Sequence, residues 1–161
     1  MGTLQERLWK ITEKAGQSIP LSADELGFAE SCLAAPDPGD RANACEVVFR
    51  ASESPEARSR ALDEVDHLCR STSEEDYAVT LLNVLLYVSL DDIVNRAALK
   101  DFVFKSASSS RWATRTNSVS VLERIAQTGD QEALRRIEHL AEDADNYVQT
   151  NARSSLGRLS E

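Results

Sequence analysis

Thr116-Asn117-Ser118-Val119-Ser120-Val121-Leu122-Glu123-Arg124-Ile125 returns 34 residues later as Thr150-Asn151-Ala152-Arg153-Ser154-Ser155-Leu156-Gly157-Arg158-Leu159. Self-similarity at that period is the mark of a stacked helical array. A unit with an apolar face on each side cannot bury those faces alone, so neighbours stack into a quasi-one-dimensional solenoid with an extended surface. A second echo relates Asp91-Asp92-Ile93-Val94, Ala98 and Phe102 to Asp145-Asn146-Tyr147-Val148, Ala152 and Leu156. In both, Asp is placed to cap a helix, Val to pack on the preceding helix, Ala to allow close approach and the large apolar residue to fill the next layer. A weaker copy aligns Arg41, Asn43, Val47, Val48 and Arg50 with Arg115, Asn117, Val121, Leu122 and Arg124.

Working outward, helix starts recur along the chain. Thr3 with Glu6 and Ser22 with Glu25 fit the capping box, in which a hydroxyl takes a first-turn amide and a carboxylate reaches back. Ser54-Pro55 fits a cap followed by proline at the first helical position, Ser73 with Asp76 is a weaker box, and Gly129 before Asp130 ends one helix and begins another. Apolar residues fall at intervals of three and four, as in Ala57, Ala61, Val65 and Leu68, and no comparable stretch alternates with period two. The expected fold is all-α: a right-handed α-solenoid of about nine helices in antiparallel pairs, over 3–15, 22–34, 40–52, 55–70, 73–89, 91–105, 109–128, 131–142 and 145–159. The run Ala78 to Leu90 is the most apolar, and it is expected to be the central helix, flanked on both sides.

Val148, Ala152, Leu156 and Leu159 sit as in the second helix of a HEAT-type repeat, which the chain resembles well over 109–160, moderately over 40–105 and poorly before 35. The resemblance implies a single domain over 1–161, with cap helices in 1–35 and HEAT-like repeats in 36–161. Arrays of this kind are scaffolds, inhibitors and, more rarely, enzymes, so the resemblance speaks to the fold alone.

The formal charge of −9 opposes approach to a phosphate backbone. It is concentrated early: residues 1–100 hold 18 acids and 10 bases, residues 101–161 hold 9 and 8, and the densest stretch runs from Glu53 to Asp76. Cys32, Cys45 and Cys69 are widely spaced with no Cys-x-x-Cys pair, which reads as buried thiols in a reducing compartment. The first residues enter an amphipathic pattern at once, unlike a secretory leader, and the longest apolar run is 13 residues where a bilayer span needs about 20. A cytoplasmic protein without membrane contact is expected.

No residue pattern forces an enzymatic reading. Asp91-Asp92 and Glu74-Glu75-Asp76 suit helix starts better than a catalytic dyad, because adjacent helix positions do not face each other. Asp63 and His67 could meet on one helical face, but Cys69 points elsewhere; neither His67 nor His139 has partners at metal-ligand spacing. Neither cofactor nor metal is expected.

The candidate sites are therefore surfaces. Asp63, Asp66, Glu74, Glu75 and Asp76 would meet a basic protein, since complementary charge speeds encounter and suppresses wrong partners. Trp112 is read first as core packing and otherwise as an exposed anchor, joined by Arg115 and Tyr147, for aromatic residues and arginine dominate interface hot spots. Asn117 and Asn151, with their preceding threonines, either face the binding surface or bond between repeats. In size, charge and fold type the chain is similar to immunity proteins, which occlude toxin domains, and that similarity implies a non-catalytic inhibitor acting as a monomer or as a heterodimer with its partner. Arg111, Arg115, Arg124, Arg135, Arg136, Arg153 and Arg158 around Trp112 and Tyr147 are similar in outline to HEAT-like DNA glycosylases. Nearby acids, Glu123 and Glu132 through Asp145, leave that half near neutral, and nucleic acid is the disfavoured partner. A scaffold subunit of a larger assembly is the third alternative.

Overall fold

The computed structural model describes residues 3–71 and 75–161, with only the backbone of Glu75. Among the described residues there is no strand, and there are nine α-helices. They are α1 (Leu4–Gly16), α2 (Ala23–Ser31), α3 (Pro38–Ala51), α4 (Pro55–Arg70), α5 (Ala78–Val84), α6 (Arg96–Ala107), α7 (Trp112–Ala126), α8 (Gln131–Leu140) and α9 (Asn146–Leu159). The protein is all-α, and no described helix is long and apolar enough to cross a membrane.

The caps explain most boundaries. Thr3 with Glu6 and Ser22 with Glu25 form full capping boxes, and Ser54 accepts from the Ala57 amide ahead of α4. Asp130 and Asp145 each accept two first-turn amides, at α8 and α9. Gly129, with φ of 91°, takes up the left-handed turn between α7 and α8 at no steric penalty. The proposed Ser73 cap lies outside the described residues.

The helices group into two compact units, 1–94 and 95–161. In the first, α3 is the helix on which α1, α2, α4 and α5 all pack. Small residues allow this: Ala42, Ala44, Cys45, Val47 and Val48 have no exposed surface, and neighbouring backbones can approach from several sides. The expectation that Ala78 to Leu90 is one central helix is corrected here. That run is a seven-residue helix, α5, followed by turns; it buries Leu81, Leu82, Val84, Leu85 and Val88 but leaves Leu86 and Tyr87 exposed. Hydrophobicity without a helical stripe marked burial and not the helix's length.

In the second unit α7 plays the central part, packing on α6, α8 and α9. Helices α7 and α9 run parallel and in register, shown by three contacts that each join residues 35 apart: Trp112 with Tyr147, Thr116 with Asn151, and Glu123 with Arg158. The repeated stretch of sequence therefore makes two neighbouring helices. The alignment of Arg41 with Arg115 also has a structural counterpart. Arg41 donates from Nη1 to the Ala35 and Pro36 carbonyls and pairs with Glu64; Arg115 donates from Nη1 to the Ser109 and Ser110 carbonyls and pairs with Asp143. Each guanidinium ties the loop before its helix to an acid from further along the chain.

The echo between Asp91 and Asp145 is a correction. Asp145 does cap α9 and Val148 is fully buried behind it, but α6 starts at Arg96 with Asn95 as its cap, and Asp91 lies in a 3-10 turn. Asn95 sits nearer the helix than Asp91, and its side chain accepts the Ala98 amide. Val94, left before the cap, is 92% exposed. Replacing Val94 by Ser should thus change stability by less than about 0.5 kcal/mol. Val148→Ala should cost about 2 kcal/mol through lost burial and a residual cavity. Denaturant titration of the two variants measures the contrast.

Candidate protein-binding site

Trp112 is the first residue of α7 and Tyr147 the second of α9, so the in-register packing of the two helices brings their rings together. The ring centroids are 5.6 Å apart with planes inclined at 30°, within the range of favourable aromatic pairs. Trp112 is 51% and Tyr147 73% exposed. The expectation of core packing for Trp112 is overturned: it lies ahead of the buried stripe of Thr114, Ser118, Val121, Leu122 and Ile125, and its ring rests on Tyr147 at the surface. Each ring covers part of the other, and the rest of both surfaces stays open.

The other residues predicted around this pair are committed to the fold. The Arg115 fork takes both carboxylate oxygens of Asp143, at 2.8 and 3.0 Å, which holds the arginine further toward its charged form and the Asp143 carboxyl below its usual range. Asn151 donates to the Thr116 carbonyl at 3.0 Å, tying α9 to α7, and Asn117 donates to the Ala113 carbonyl within its own helix. Of the two readings of the Thr-Asn pairs, inter-helix bonding is what Asn151 does.

Deeper along the α7 and α9 contact, Glu123 is nearly buried. Arg158 contacts both its oxygens at 2.8 and 2.6 Å, and the buried Ser155 hydroxyl donates to it at 2.7 Å. Those donors lower its pKa against the opposing effect of burial. The sequence carried no signal for this pair, because Glu123 and Arg158 belong to charge patterns that look solvent-facing.

The acidic stretch divides on α4. Asp63 is exposed, whereas Glu64 turns to Arg41 at 2.6 Å and Asp66 pairs with Arg70 at 2.5 Å. Asp66 also has one buried oxygen with no hydrogen-bond partner. Asp76 is exposed; Glu74 lies outside the described residues, as does the Glu75 side chain. Asp63 and His67 are both exposed, but the Cys69 thiol is buried and its pKa is pushed up to about 12, which keeps it from forming a thiolate. Among the described residues, no group of three or more His, Cys, Asp or Glu is placed to hold a metal ion.

No protein-family model matches the chain, and no curated protein matches it.

Proposed function

We propose that the chain is a non-catalytic protein-binding module, a HEAT-like solenoid that occludes a basic protein such as a toxin domain, in the manner of immunity proteins. The Trp112 and Tyr147 stack carries this reading. Two large exposed rings in contact with each other offer a joint aromatic surface of the kind that dominates interface hot spots. The parallel, in-register α7 and α9 and the repeated Arg41 and Arg115 ties support translational stacking of helix pairs. A charge of −9 steers basic partners, with Asp63 and Asp76 as the exposed acids in that role. Arg115, Arg136, Arg153 and Arg158 are engaged with Asp143, Ser108, the Ala141 carbonyl and Glu123, which weighs against a nucleic-acid surface. Three free, buried thiols suit the cytoplasm.

The test is affinity capture from the native host with the wild-type chain and with a Trp112→Ala/Tyr147→Ala variant. A basic protein retained by the wild type and lost by the variant is the expected result, with a deficit of at least about 2 kcal/mol in binding. The variant should keep its helical circular dichroism, since neither ring is buried in the core. Equal capture by both proteins would remove the aromatic pair from the interface.

A further inference from the structure

The first unit holds a cavity of about 490 Å³ between the end of α1, the loop to α2, the end of α3 and the turn after α5. Ile19, Leu21, Leu26 and Phe49 supply apolar lining, and Arg50 and Tyr87 the polar part. Its size falls in the range of small-molecule sites, which are mostly apolar with a few fixed polar groups. The wall from the loop is set by the way α1 stops. Ser18 adopts the left-handed conformation at φ of 57°, and the Ile19 amide bonds back to the Lys14 carbonyl at 2.9 Å while the Ser18 amide bonds to Ala15.

Arg50 is the distinguishing group. Its Nε donates to Glu46 at 2.9 Å, and its guanidinium lies 4.2 Å from the centre of the Tyr87 ring, so one edge and one face are fixed. Its side chain is only 20% exposed, yet the four N–H donors on Nη1 and Nη2 have no acceptor among the described residues. A guanidinium held in place with its terminal fork unfilled matches a carboxylate in two-point geometry. Glu46 engages Nε alone and leaves that fork open.

We propose that this cavity binds a small free monocarboxylate with an apolar, aromatic-sized body, its carboxylate on the Arg50 fork and its body against Ile19, Leu26 and Phe49. The proposal concerns the first unit and is independent of the Trp112 and Tyr147 surface.

The test titrates the full chain with cinnamate and with its neutral analogue cinnamamide, followed by calorimetry and amide chemical shifts. Cinnamate should bind, with shifts in residues 15–26, 49–51 and 87, and cinnamamide should bind at least about tenfold more weakly, because a charge-assisted bond is lost. Arg50→Lys keeps a cation beside Glu46 but loses the two-point fork, and should reduce the preference for cinnamate. Ile19→Asp, at a position 44% exposed and tolerant of a polar side chain, should weaken cinnamate while leaving thermal unfolding unchanged. Equal affinity for the two compounds, no binding of either, or an unchanged preference in a folded Arg50→Lys protein would overturn the proposal. So would binding of a peptide with a carboxyl-terminal phenylalanine in the absence of cinnamate binding, which would make the occupant a polypeptide end.

Discussion

Arg115→Ala lowers the stability of residues 95–161 by roughly 2 to 3 kcal/mol. The substitution removes a two-point ion pair to Asp143 and leaves the Ser109 and Ser110 carbonyls without the donor that held them. Asp143, with 12% of its side chain exposed, keeps only the Asp145 amide as a hydrogen-bond donor to its carboxylate among the described residues, and must rehydrate or carry an unpaired charge. Arg115→Lys restores the charge but not the fork, and should recover less than half of the loss. Hydrogen exchange is the suitable measurement, because a chain with two compact units need not unfold in one step. Amides of α7 and α9 should exchange faster in Arg115→Ala while those of α3 keep their protection, and Arg41→Ala should show the reverse. A loss below about 1 kcal/mol would mean that the tie is a surface pair of ordinary strength.

That expectation shows where the sequence was legible. The alignment of Arg41 with Arg115 was visible as a weak copy, and the structure gives both residues the same two carbonyls, five and six positions back, and an acid ahead. Caps were legible for the same reason, since each depends on a residue and its neighbours within one turn: Thr3, Ser22, Ser54, Asp130 and Asp145 all act where they were expected. Asp91 failed because two local caps competed and Asn95 won. The site was less legible. Trp112 and Tyr147 each stand out in the sequence, but their stacking depends on the relative register of α7 and α9, which no single helix specifies. Arg115 reads as an anchor because a sequence shows that a cation exists and not where its counter-charge lies. The cavity beside Arg50 gave no signal at all, as its lining comes from residues 15–26, 49–51 and 87 brought together only by packing.

Acid should loosen the second unit before the first. In residues 95–161 three carboxyls are held below their ordinary range: Glu123 by Arg158, Asp130 by Lys100 and Asp143 by Arg115. A carboxyl depressed in the folded state contributes stability that is complete above its unfolded pKa, about 4, and is lost as pH falls through the folded value. Each such group steepens the decline by up to about 1.4 kcal/mol per pH unit within that window. In residues 1–94 Asp40 and Glu46 are displaced the other way, chiefly by burial, which disfavours their charged forms. Protonating those two relieves the desolvation and offsets acid loss in that unit. Half-buried Glu25, lowered by Lys14, opposes the offset only weakly because the Lys14 partner is exposed and solvent screens the pair. Hydrogen exchange, corrected for intrinsic rates, should show protection in α7 and α9 falling between pH 5 and pH 3 faster than in α3. Glu123→Gln tests the cause: it should lower stability at neutral pH and flatten the acid slope of the second unit, with Ser155 and Arg158 still able to bond the amide oxygen. An acid slope unchanged by that substitution would place the sensitivity elsewhere, in Asp130 or Asp143, whose Asn variants separate the two.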